Sequence, residues 1–114
     1  MADFGDLAGP GITGQIIRRL LQVEGPKTIA QIHKAVKSHY RFLELPSKAP
    51  TYKSTERYVK TLVQLGLVRA GARGGRVPVG GLGLHYQLYE LVPSRIDSAL
   101  WQSPTKARRE LLES

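Results

Sequence analysis

Residues 51–69 read TYKSTERYVKTLVQLGLVR, and two stripes run through them at helical spacing. Tyr52, Thr55, Val59, Leu62 and Val63 recur at intervals that keep side chains on one face of a helix, the face that packs inward. Lys53, Glu56, Arg57, Lys60 and Gln64 follow the series i, i+3, i+4, i+7, i+11 and make an unbroken polar stripe on the outer face. The spacing predicts a helix over 51–65, stopped by Gly66. The inner stripe says that this helix packs, and the outer one says what it offers to solvent.

Toward the amino terminus, two more amphipathic helices are expected. Ile12, Ile16, Ile17, Leu20, Leu21 and Val23 form one apolar face, with Arg18, Arg19 and Gln22 on the other side, and Gly25-Pro26 ends the run. Thr28 and Gln31 have the spacing of a capping box, which satisfies orphan amides at a helix start. The helix it opens spans 28–40, with Ile29, Ile32, Ala35, Val36 and Tyr40 inward and Lys34, Lys37 and Ser38 outward. Between this helix and the next, residues 41–50 carry Pro46 and Pro50 and read as a loop whose Phe42, Leu43 and Leu45 tuck back onto the core.

Toward the carboxyl terminus, Leu67-Val68-Arg69 is a short β-like run. A glycine-rich segment follows from Gly71 to Gly83, and residues 85–91 then alternate with the period of a strand. The pattern is a β-hairpin with a long basic tip. Pro93 closes it. Ser94 and Asp97 suggest a further helix start before Ile96, Leu100 and Trp101, and Ser103-Pro104 suggests another. The chain thus divides into a leader over 1–11, a domain over 12–92 and a helical extension over 93–114.

Composition bounds the chemistry. A chain of 114 residues, 41% hydrophobic, suits one compact domain. Cysteine is absent, which removes disulfides, thiolate metal sites and cysteine catalysis. Met-Ala-Asp-Phe-Gly-Asp at the start does not read as a signal peptide, and no apolar run reaches the ~20 residues of a membrane span. The expectation is a soluble cytoplasmic protein with no membrane partner, nucleoid-associated if prokaryotic. Seventeen Lys and Arg against nine Asp and Glu give a net charge of +8, which favours a polyanionic partner.

The order helix, helix, helix, hairpin with a basic tip resembles the winged helix-turn-helix family. The match is strongest over residues 53–69, which look like the recognition helix of many bacterial and archaeal regulators and its leucine-glycine-leucine exit. The resemblance covers roughly residues 12–92. It implies an α+β, mostly helical fold: a three-helix core plus a β-hairpin wing, here with a C-terminal helical extension. It also implies that helix 51–65 lies in the major groove of double-stranded DNA while the wing, 69–91, follows the backbone or the minor groove. Carried onto this sequence, Tyr52, Lys53, Glu56, Arg57 and Lys60 would face DNA from the helix, and Arg69, Arg73 and Arg76 from the wing. Two features depart from the family pattern: a longer loop before the third helix and a wing tip unusually rich in glycine.

The residue chemistry agrees with that expectation but has plainer alternatives. Arginine can read guanine bidentately, which suits Arg57, and lysine suits phosphate, which suits Lys60. The plain alternative is a solvated charged face. Glu56 either accepts from a cytosine amino group or pairs with Lys60, and the pair is favoured. Arg73 and Arg76 sit among glycines with no acid near them in sequence. His33 and His39 are six apart and diverge around their helix, and no carboxylate pair accompanies them, so no metal site is expected. No cofactor is expected either, because the glycines lack a phosphate-loop or dinucleotide context. Nothing suggests an enzyme. Leu100, Trp101, Leu111 and Leu112 are candidate contacts of a homodimer. The rival readings are a winged-helix module for protein contacts in a replication or transcription assembly, and an RNA or single-strand binder.

Overall fold

The computed structural model describes residues 11–77, 84–102 and 104–113. The leader over 1–10 and the hairpin tip over 78–83 lie outside the described residues. Helix α1 (Ile12–Glu24) buries Ile12, Ile16, Ile17, Leu20 and Leu21, the stripe expected of it. Val23, expected on the same face, lies in the final turn and is exposed.

Helix α2 (Ile29–Phe42) opens on the expected capping box: Gln31 N–H donates to the Thr28 hydroxyl at 3.2 Å, and Thr28 N–H donates to Gln31 Oε1 at 3.0 Å. The helix runs past residue 40. Its end is set by Glu44, whose φ of +61° is left-handed, so that Leu45 N–H reaches back to the Tyr40 carbonyl at 2.9 Å. That closure also corrects the expectation for the loop. Leu43 packs on the core, but Phe42 is 72% exposed and Leu45 is exposed too, because both fall outside the buried stripe of Val36, His39 and Leu43.

A single 3-10 turn, Pro46–Lys48, leads into helix α3 (Tyr52–Gln64). Thr51 caps it by accepting from Ser54 N–H at 3.1 Å. Gly66, at φ +76°, ends it, and Leu67 N–H bonds the Leu62 carbonyl at 3.0 Å, a closure that needs the glycine's left-handed backbone.

The two strands, β1 (Val68–Val77) and β2 (Leu84–Leu91), pair antiparallel with Val68 opposite Leu91 and Ala70 opposite Tyr89. Strand β1 is longer than its sequence suggests. It continues through glycines because pairing with β2 supplies the order that local propensity lacks, with shifts of register on either side of Arg73. One shift is stitched by Gln87, whose Nε2 donates to the Gly71 carbonyl at 2.7 Å. The outer edge of β2 is strapped by Lys27, which exchanges two backbone hydrogen bonds with Tyr89, at 3.0 and 2.8 Å.

After β2 the expected helix around Ile96 is replaced by two 3-10 turns, Pro93–Arg95 and Ala99–Gln102. These tight turns bring Trp101 back against α1. It is 2% exposed and belongs to the same core as Ile16, Ile32, Val59 and Leu62, and its Nε1–H donates to the Arg95 carbonyl at 3.0 Å. From residues 93–102, Trp101 thus joins the core of α1, α2 and α3, with Ile96 and Leu100 packed against it. Helix α4 (Pro104–Glu113) follows and lies against α3. The fold is α+β and mostly helical, with four α-helices and one antiparallel hairpin among the described residues. None of these helices is long and apolar enough to cross a membrane.

Candidate nucleic-acid interface

The two stripes of α3 separate as the sequence predicts. Thr55, Val59 and Leu62 are fully buried, and the Thr55 hydroxyl donates to the Thr51 carbonyl at 2.9 Å, so its burial leaves no polar atom unmatched. On the other side Lys53, Arg57 and Lys60 are exposed. Tyr52 is divided between the two roles. Its ring meets that of His33 of α2 edge to face, with centroids 5.7 Å apart, yet 46% of the residue stays open to solvent. The first turn of α3 therefore joins a half-exposed tyrosine, a lysine and the backbone amides of Tyr52 and Lys53, with that of Ser54 already taken by Thr51.

Glu56 pairs with Lys60, Oε1 to Nζ at 3.8 Å, as favoured from the sequence. Both side chains are well exposed, so the pair is weak and a stronger anion can compete for Lys60. Arg57 has no ion-pair partner among the described residues. Gln64, the last member of the outer stripe, is not free: Arg108 of α4 donates to its Oε1. Sequence periodicity could not reveal this, since the partner is 44 residues away.

On the hairpin, Arg69 is matched with Glu90, Nε to Oε1 at 3.0 Å, at the exposed root of β1. The backbone of Arg73 stands opposite Gln87 and that of Arg76 opposite His85. Along this stretch β1 advances three residues while β2 advances two, so one β1 residue between the two arginines has no partner in the ladder. Their side chains lie outside the described residues.

The remaining candidates scatter. Trp101 is covered by its own chain and so is closed to a second copy; Leu100 is partly buried against the core. Leu112 is exposed, and the side chain of Leu111 lies outside the described residues. His33 and His39 are spent on aromatic contacts, His33 with Tyr52 and His39 stacked on Phe42 with ring centroids 5.8 Å apart. Among the described residues no three His, Asp or Glu side chains gather as a metal site would require.

One buried polar group is strongly perturbed. The hydroxyl of Tyr58, on the α3 face toward α1, has its pKa pushed up to about 12, mainly by burial and further by Tyr40, while a backbone hydrogen bond at Gly14 acts the other way. A methyl group at Gly14 would lie 2.7 Å from this hydroxyl and 3.5 Å from the Trp101 carbonyl, so the glycine sets how closely α1, α3 and the Trp101 turn approach. No family model, curated protein or solved structure matches this chain.

Proposed function

We propose that the chain is a double-stranded DNA-binding protein of winged helix-turn-helix type, acting as a transcriptional regulator. The observation that carries this reading is the division of α3, which buries Thr55, Val59 and Leu62 and offers Tyr52, Lys53, Arg57 and Lys60 to solvent in a chain of net charge +8. Helix α3 enters the major groove by its amino-terminal half. Arg57 reads a base edge, Lys53 and Lys60 meet phosphates, and Tyr52 with the backbone amides of Tyr52 and Lys53 holds one more. The β1–β2 hairpin lies along the backbone or the minor groove, where Arg73 and Arg76 add contacts blind to sequence. Arg69, already matched with Glu90, contributes less.

The division of labour is testable by binding a panel of duplexes to alanine variants. Arg57→Ala is expected to relax discrimination at one position by about 1–3 kcal/mol. Arg73→Ala and Arg76→Ala are expected to weaken binding evenly over all sequences. A triple alanine variant of these arginines that binds every duplex as well as wild type would sink the mechanism.

A second reading has one observation in its favour. Phe42 is 72% exposed at the end of α2, a place where a partner protein could cover it. On that reading Phe42→Ser abolishes assembly with an acidic protein partner and leaves duplex binding absent in both forms.

A further inference from the structure

The contact between α4 and α3 has a consequence for how a duplex would be held. Gln64 lies seven residues beyond Arg57 on the same side of α3, roughly 10.5 Å along the axis. The major groove is about 12 Å wide. With the amino-terminal half of α3 in the groove and Arg57 over the bases, the Gln64 end leads out of the groove toward its phosphate edge. It is there that Arg108 ties α4 to Gln64.

Helix α4 brings its own charge to that position. Lys106 and Arg109 are exposed, three residues apart, and neither has an ion-pair partner among the described residues. Glu110, four residues beyond Lys106, and Glu113, four beyond Arg109, each offset part of one cation's charge, so the two cations act as a pair. Arg108 cannot both hold Gln64 and swing freely, so its role is to fix the helix.

We infer that α4 is a phosphate clamp: Lys106 and Arg109 contact the DNA backbone that borders the groove occupied by α3, and the Arg108–Gln64 contact positions them. The inference rests on the duplex-binding reading above. It assigns α4 to the DNA surface of its own chain rather than to a second copy.

The test compares the salt dependence of duplex binding for the wild-type chain, the double variant Lys106→Ala with Arg109→Ala, and Arg95→Ala as a control. Arg95 is exposed in the turn after β2. Alanine favours helix, so α4 is expected to persist in the double variant, which circular dichroism checks. Each lost phosphate contact lowers the slope of log affinity against log salt by about 0.9, so the double variant is expected to lose about 1.8, with binding weakened on the order of ten-fold or more near 0.1 M salt. Base preference is expected to stay as in wild type, and Arg95→Ala to leave the slope unchanged. Wild-type binding with an unaltered slope in the double variant overturns the clamp alone, as does an equal loss per charge in Arg95→Ala. Absence of duplex binding by wild type at low salt overturns the duplex reading and the clamp with it.

Discussion

Residues 41–50 hold the end of α2 and the link to α3, and residues 93–102 link β2 to α4. Both are ten residues long with four apolar side chains each, yet they end differently. In the first, Phe42 is 72% exposed; in the second, Trp101 is 2% exposed. Apolar content does not decide between them. What differs is whether the backbone can carry the ring to the core and satisfy its own polar groups on arrival. The turns Pro93–Arg95 and Ala99–Gln102 do so, and they give Trp101 Nε1–H a carbonyl partner at Arg95. The segment is also held to α1 by Arg18, which donates to the Ile96 carbonyl at 3.4 Å. After Phe42 the chain instead closes its helix through Glu44 and turns away, leaving the exposed ring stacked on His39.

The comparison breaks most sharply at Trp101. Trp101→Ala is expected to cost about 3–5 kcal/mol, since it opens a cavity in the core beside α1, and urea unfolding would read the loss as a fall in midpoint. A cost under about 1 kcal/mol would mean that the ring does not join the two regions.

The second test uses pH on the same packed region. Tyr58 keeps its proton to about 12 when folded, against the ordinary value near 10 when unfolded. Between those values the unfolded chain releases this proton first. Stability is therefore full below pH ~10 and falls as pH rises toward ~12. Absorbance titration should find one tyrosine ionising after the others, and Tyr58→Phe should flatten the alkaline fall.

Smaller effects sharpen the contrast. Trp101→Phe keeps an aromatic ring but removes the donor to Arg95, with an expected cost of about 1–2 kcal/mol in the same unfolding assay. Phe42→Ser is expected to change stability by less than about 1 kcal/mol, because the ring is already in water and gives up only a stacking contact. Equal costs at Phe42 and Trp101 would remove the distinction.

The same contrast explains what the sequence made legible. The stripes of α1, α2 and α3 could be read because helical periodicity is local, as could the Thr28–Gln31 box and the stop at Gly66. The length of β1 could not, because glycines 71, 74 and 75 carry no strand signal and their order comes from pairing with β2. The burial of Trp101 was hidden for a related reason, since the turn that carries it packs on α1, far back in the chain. At the candidate interface, Lys53, Arg57 and Lys60 emerge on one exposed face as their spacing implies. The capture of Gln64 by Arg108 and the matching of Arg69 with Glu90 are long-range contacts that no window of sequence contains.

The central claim concerns duplex DNA. Fluorescence anisotropy of a labelled random duplex, titrated with the protein at several salt concentrations with single-stranded DNA as competitor, tests it most directly. The account predicts micromolar or tighter binding that falls linearly in log affinity with log salt and resists the single strand. No binding at low salt, or release by the single strand as readily as by duplex, would contradict it.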